Sequence, residues 1–295
     1  MKYVLTGSIG HITKPIAQAL VAANNSVSII TSKETNKQAI ETLGATALVG
    51  SVEDVNFLEN SFAGADAVYL MIPPKFTVTD WLGYQQAVAD NYVQALQTNG
   101  IKQVVVLSSV GAHMGKGAGP VDGLAYLESK LSEYPEVNAV YLRPSYFYYN
   151  LFAQATLLKH AGIMGSTQPA THKLVLTHTT DIADAAIAAL QNVSFEGKKV
   201  QYIASDEATW QEITAALSIA VGKENIPFVE FSDEQSYAGM LQAGLSEVLA
   251  NGYKEMGIAL RSGEMEADYW ANRPATLGKV KLADFAKEFA AAYQA

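Results

Sequence analysis

The sequence predicts an α/β fold: a doubly wound parallel sheet with a smaller, mainly helical C-terminal lobe. Three observations carry this. Short β-rich runs alternate with helix-length segments through the first half of the chain, the pattern that right-handed βαβ crossovers produce. Several of those runs are apolar almost without a break, as strands covered by helices on both faces must be. After Pro144 the rhythm changes, and residues 206–295 read as mainly helical.

The first strand is YVLT (3–6), and a glycine turn leads from it into a helix over 12–23. SVSII (26–30) and TALV (46–49) are the next strands, separated by a helix over 34–43. A helix over about 54–62 follows and begins with Glu53-Asp54, where the helix dipole favours acids. AVYLMI (67–72) is the fourth strand, and the helix over 79–98 has a Thr79/Asp80 cap and an Asn99-Gly100 stop. QVVVLSS (103–109), a glycine-rich loop, a helix over 121–134 and AVYLRP (139–144) complete the alternation.

Beyond it, YFYYNLFAQATLLKHAGIMG (146–165) reads as an aromatic-rich helix start with a loop after it. KLVLTHTTDIADAAIAALQN (173–192) is a strand and then a helix capped by Thr180 or Asp181, KKVQYIAS (198–205) another strand, and PFVEF (227–231) a short one. The expected division is residues 1–150 with 173–204 returning to them, and a lobe of 151–172 and 205–295.

The composition narrows the function. With 49% apolar and 17% charged residues, the 295-residue chain can bury a large core. A net charge of -9 opposes phosphate backbones, so direct nucleic-acid binding is not expected. The absence of cysteine excludes disulfides, thiolate metal sites and cysteine nucleophiles. His172 and His178 match no metal-ligand spacing, and no metal is expected. No apolar run reaches membrane-spanning length and no leader pattern opens the chain, so a cytoplasmic protein off the membrane is the expectation.

Between the first strand and helix stands GSIGHITKP (7–15). Gly7 supplies the tight turn and Gly10 lets a pyrophosphate approach the backbone, where the helix N-terminus offers free N–H groups. The next glycine slot holds Thr13, which affects helix–strand packing rather than phosphate contact. Pro15 is tolerated in a first helical turn, where its missing N–H has no partner to lose. After the second strand there is no immediate Asp or Glu for a ribose 2′-hydroxyl. Thr31, Ser32 and Lys33 suit a 2′-phosphate, which favours NADP(H) over NAD(H). A solvated lysine at a helix start is the ordinary alternative.

TGSIGHI (6–12), GADAVYLMIPP (64–74), SSVGAH (108–113), YLRPSYFYYN (141–150) and THTTDIADAA (177–186), in this order, resemble the NmrA-like family, an atypical branch of the short-chain dehydrogenase/reductases. The resemblance implies a Rossmann domain with NAD(P) across the strand ends. Gly7, Ser8, Gly10, His11 and Ile12 would hold the pyrophosphate, and Thr31, Ser32 and Lys33 the adenine ribose. Met71, Ile72, Pro73 and Pro74 would line the cofactor's midsection, with Ser108 and Ser109 at the nicotinamide. Ser51 stands where relatives often carry an adenine-contacting Asp. The family implies quinone or azo-dye reduction in some members and cofactor-binding redox sensing in others.

Tyr126 and Lys130 spell the Tyr-x-x-x-Lys pair of short-chain dehydrogenases, in which the lysine lowers the phenol pKa. The helix carrying them has an apolar seam at Val121, Leu124, Leu127 and Leu131. Tyr126 points about 150° and Lys130 about 100° from its centre, whereas Glu128 falls within about 60°. In NmrA-like chains a glutamate commonly occupies a place near Glu128. All three are catalytic candidates, with coincidence the leading account of the Tyr–Lys spacing. His113 in the glycine-rich loop and the aromatics Tyr146, Phe147 and Tyr148 are candidate acceptor contacts, with loop mobility and core packing the plain alternatives.

The expected function is reduction of a small quinone-like or aromatic acceptor by NADPH. The competing readings are a non-catalytic NADP(H) sensor acting on a regulatory protein partner and a nucleotide-sugar epimerase, which needs a working Tyr–Lys pair. Homo-oligomerisation is left open by the sequence.

Overall fold

A computed structural model describes residues 1–294. The first part runs β1 (Lys2–Leu5), α1 (Thr13–Ala22), β2 (Ser26–Thr31), α2 (Lys37–Thr42), β3 (Thr46–Val49), α3 (Val55–Phe62), β4 (Ala67–Leu70), α4 (Trp81–Thr98), β5 (Gln103–Leu107), α5 (Asp122–Ser132) and β6 (Asn138–Pro144). There follow β7 (Tyr146–Phe147), α6 (Phe152–Ala161), β8 (Met164–Ser166), β9 (Lys173–Thr177), α7 (Thr179–Gln191) and β10 (Lys198–Ile203). The chain ends with β11 (Asp206–Thr209), α8 (Trp210–Ala220), β12 (Phe228–Glu230), α9 (Asp233–Gln242), α10 (Glu247–Ser262), α11 (Ala267–Ala271) and α12 (Leu282–Gln294).

Seven strands form one sheet in the order β10-β6-β5-β4-β1-β2-β3, and every pairing in it is parallel. One face is sealed by α3, α4 and α5 through Leu58, Phe62, Tyr92, Leu96, Leu127 and Leu131. The other is sealed by α1, α2 and α7 through Ile16, Leu20, Ile40, Ile182 and Leu190. Winding reverses between β1 and β4, and that reversal opens a crevice at the strands' carboxyl ends.

The remaining elements build the lobe beside those ends. β9 pairs with β7 and antiparallel with β11, and β12 pairs with β8. Tyr148, Trp210, Phe285 and Phe289 fill a core among α6, α8 and α12. A further cluster of Val110, Val121, Leu260, Met265 and Tyr269 fastens α10 and α11 to the loop after β5.

Several expected boundaries shift. β4 stops at Leu70 and β5 at Leu107, so Met71–Pro74 and Ser108–Ser109 leave the sheet at the crevice. Residues 34–36 form a 3-10 turn ahead of α2. The cap of α7 is His178, whose Nδ1 accepts from Thr180 N (3.2 Å), rather than Thr180 or Asp181. Asp181 turns inward to Ser205 Oγ (2.6 Å) and Lys279 N (2.9 Å). β11, with the polar sequence DEAT, has no strand signal of its own and exists because β9 offers it an edge. Among the described residues no helix is long and apolar enough to cross a membrane.

Candidate functional site

The glycine turn begins where β1 ends. Thr6 is buried, and its hydroxyl accepts from Met71 N (2.7 Å), tying the ends of β1 and β4 together at the reversal point. Gly7 sits at φ +91, a conformation that disfavours side chains, and a Cβ there would lie 2.8 Å from Thr13 Oγ1 and 2.9 Å from Met71 Cγ. The missing third glycine is thereby explained. Thr13 is buried, its hydroxyl donates to the Thr6 carbonyl (3.1 Å), and it uses the space that Gly7 leaves. Around Gly10 only the Gly7 carbonyl, at 3.5 Å, comes near a built Cβ, so the approach to its backbone is open. α1 starts at Thr13 with no acid in its first turn, and Pro15 falls within that turn. The free N–H groups and helix dipole at this end favour an anion, so the residues present fit a dinucleotide pyrophosphate.

Next to the turn, Ser8 Oγ donates to Thr31 Oγ1 (2.9 Å), and Asn36 Nδ2 donates to both oxygens (2.9 and 3.1 Å). Thr31 is 2% exposed and so braces the turn against β2 instead of offering its hydroxyl to a ribose. Ser32 and Lys33 are exposed beside it. Asn36 had no signal in the sequence beyond lying near the second strand. Ile12 is half-buried and packs on the core. His11 is exposed, and Tyr149 Oη lies 3.0 Å from its Nδ1, linking the turn to the lobe.

Met71 covers Gly7, and its carbonyl accepts from Tyr92 Oη (2.8 Å). The Pro73 carbonyl accepts from Tyr84 Oη (2.9 Å). Ile72 differs from expectation: its side chain is buried in the core under α4 and not in the crevice. Ser108 is likewise turned inside, while Ser109 faces a cavity of about 910 Å³.

That cavity lies between the ends of β5 and β6 and helices α9 and α10. Ser145, Tyr146, Phe147 and Tyr149 line one side, with Tyr253 and three methionines, Met240, Met256 and Met265, on the other. No lining side chain is charged. Tyr146 is pushed up by burial and stays a neutral phenol. The other two candidate acceptor contacts lie elsewhere. Tyr148 is fully buried and stacks on Phe285 at 4.7 Å, a core residue of the lobe. His113 is exposed on the 3-10 turn at 112–114 and does not line the cavity. Strand and turn geometry, not composition, decides that Tyr149 rather than Tyr148 of YFYYN faces the cavity, and Ser145 before that run carried no signal in the sequence.

The Tyr-x-x-x-Lys spacing does not assemble a site. Tyr126 Oη donates to Asp90 of α4 (3.0 Å), and Lys130 pairs with Glu133 (3.1 Å). Burial and the Asp90 hydrogen bond raise the Tyr126 phenol, the opposite of activation. Glu128 is buried and accepts from Arg143 Nε (3.1 Å) and Nη2 (2.6 Å) and from Ser108 Oγ. Arg143 Nη1 also donates to Tyr202 Oη (3.0 Å) and to Asp268 of α11 (3.1 Å). Burial works against the guanidinium charge, and the Glu128 carboxylate outweighs it, holding Arg143 above its ordinary value. Glu128 is therefore the centre of a buried tie between sheet and lobe, with its oxygens engaged, rather than a free catalytic acid.

Known proteins share this architecture. The chain is 23% identical to an NAD(P)H azoreductase of Xenophilus azovorans, over 99% of both chains. An NADPH-dependent quinone oxidoreductase of Escherichia coli, solved with NADPH, superposes with a TM-score of 0.82 at 19% identity, covering 97% of this chain and 99% of that one. A triphenylmethane reductase of Citrobacter sp. reaches 0.79 at 17% identity, covering 99% and 100%. At such identities the structures establish a shared fold. The NmrA-like family profile matches residues 2–257, nearly the whole chain, and the protein belongs to the NmrA-like family.

Proposed function

We propose that the protein is an NADPH-dependent oxidoreductase that reduces a small quinone-like or aromatic acceptor. The observation that carries this reading is the junction of two features: the open glycine turn at the sheet's reversal point is joined, through the His11–Tyr149 contact, to an uncharged, aromatic cavity lined by Ser109 and Tyr149. The names of the azoreductase and of the quinone and dye reductases above support it.

In this reading the backbone of Gly7–Ile12 and the α1 N-terminus hold the pyrophosphate, and Ser32 and Lys33 receive the 2′-phosphate. Met71 and Pro73 flank the midsection, and Ser109 faces the nicotinamide. The bound cofactor supplies the hydride. The chain's own residues orient the acceptor between Tyr146, Phe147, Tyr149 and Tyr253 and exclude water from it, which makes positioning the main source of rate. Residues 1–150 with 173–204 act as the cofactor domain, except that β7 and β9 leave the seven-stranded sheet and pair within the acceptor lobe of 151–172 and 205–295.

The test is binding of NADPH and NADH to the wild type and Lys33→Ala, followed by turnover with quinones and azo dyes. Tighter NADPH binding that Lys33→Ala abolishes, with acceptor-dependent NADPH oxidation, is the expected result. The Tyr149–His11 contact favours one second reading, a sensor in which cofactor binding moves the lobe. Binding without turnover on any acceptor would replace the first reading by that one. Epimerase chemistry has no support from a Tyr126 engaged with Asp90.

A further inference from the structure

Two buried glutamates stand near the acceptor cavity, and their partners differ. Glu128 is matched by the Arg143 guanidinium. Glu266, between the lining residue Met265 and α11, is 1% exposed. Its Oε1 accepts from Val175 N of β9 (3.3 Å) and Ser145 Oγ (3.2 Å), and among the described residues it has no ion pair. The cations nearby are engaged elsewhere. Arg273 (2.5 Å) and Lys173 (3.6 Å) face Glu207 of β11, which also accepts from Tyr269 Oη (2.6 Å), and Arg143 faces Glu128 and Asp268.

A buried carboxyl without a cation favours its neutral form. Burial pushes Glu266 up to about 7, against the pull of the Val175 N–H and Ser145 hydroxyl, and the Glu207 charge adds to the rise. Ser145 meanwhile lines the cavity beside Tyr146, so one hydroxyl separates this acid from the space an acceptor would occupy.

We propose that Glu266 and Ser145 form a proton relay into the acceptor cavity, an inference that rests on the reductase reading above. The acceptor gains two electrons with the hydride, and the nicotinamide cofactor is oxidised. In the acid form the proton sits on Glu266 Oε1, so the 3.2 Å bond runs from the carboxyl to Ser145 Oγ and the serine O–H turns into the cavity. The acceptor's newly anionic oxygen or nitrogen takes that hydroxyl proton as Glu266 gives its own to Oγ. Glu266 is left as a carboxylate, and water entering after product release returns the proton through Ser145. Ser145 is the catalytic residue and Glu266 acts through it.

The test uses the full chain with NADPH and 1,4-benzoquinone. Wild-type kcat is expected to fall about tenfold per pH unit above about pH 7, because the acid form does the work. Glu266→Gln and Ser145→Ala should both flatten that profile and lower kcat at acid pH on the order of 10²-fold, and Ser145→Thr should restore it. Infrared spectroscopy of the protein without cofactor gives a reading independent of turnover. A protonated-carboxyl C=O band should vanish as pH rises through about 7, be absent in Glu266→Gln and persist in Ser145→Ala. If Glu266→Gln does not fold, the serine variants carry the test. Turnover with an unchanged pH profile in the variants, or no such band in the wild type, overturns the relay alone. A wild type that binds NADPH and reduces no acceptor overturns the reductase reading and the relay with it.

Discussion

Replacing Glu128 by Gln is the sharpest test of the buried tie. The side chain keeps its size but loses its charge, and one of its oxygens becomes an N–H₂ that meets Arg143 Nη2 or Nε as donor against donor. The Arg143 side chain is 7% exposed and the Glu128 side chain 10%, so water cannot replace the lost partner. Breaking a buried pair by removing one member costs about 3–5 kcal/mol. Arg143 keeps Asp268, whose side chain is 34% exposed and therefore partly screened, which places the expected loss near the lower end, about 3 kcal/mol. Urea unfolding followed by tryptophan fluorescence measures it. Replacing both partners, Glu128→Leu with Arg143→Met, should recover most of the loss, since apolar substitutes often match a buried pair. A loss under about 1 kcal/mol for Glu128→Gln would refute the claim that Arg143 depends on it. A large drop in kcat without loss of stability would instead return Glu128 to a catalytic role.

Four further outcomes are expected. Tyr126→Phe and Lys130→Ala should each leave kcat within about twofold of wild type, because neither reaches the cavity; steady-state turnover decides. Gly7→Ala should abolish NADPH binding and cost about 1–3 kcal/mol of stability, from strain at positive φ and the clash with Thr13 and Met71, read by titration and thermal unfolding. Lys33→Ala should weaken NADPH and leave NADH binding unchanged, measured by fluorescence titration. For Glu266 the folded pKa, about 7, exceeds its ordinary 4.5, so its contribution is full below about 4.5 and is lost as pH rises to about 7. The stability of Glu266→Gln minus that of wild type should therefore rise by about 3 kcal/mol across that window, since each unit is worth about 1.4 kcal/mol.

What the sequence determined by itself is local and periodic. Continuous apolar runs such as QVVVL marked strands buried on both faces, and the Asp80 cap with the Asn99-Gly100 stop bounded α4 to within two residues. Gly7 and Gly10 marked the open turn between β1 and α1 because backbone conformation and open approach depend on the glycines themselves. The seam of α5 foretold that Glu128, and neither Tyr126 nor Lys130, would turn inward.

Only the tertiary structure decided which partner each inward side chain meets. The packing role expected of Thr13 took its form from the fold, in which its hydroxyl lies beside Gly7 and bonds the Thr6 carbonyl. Glu128 looked catalytic until Arg143 closed on it, and Glu266 drew no attention because Ser145 lies 121 residues away in the chain. Tyr148 and Tyr149 are neighbours in sequence, yet one stacks in the lobe core and the other reaches His11. Periodicity reports which face of an element is buried. The charge and hydrogen-bonding of a buried polar group depend on groups brought from distant segments, and those decide whether a carboxyl is a structural tie or an acid.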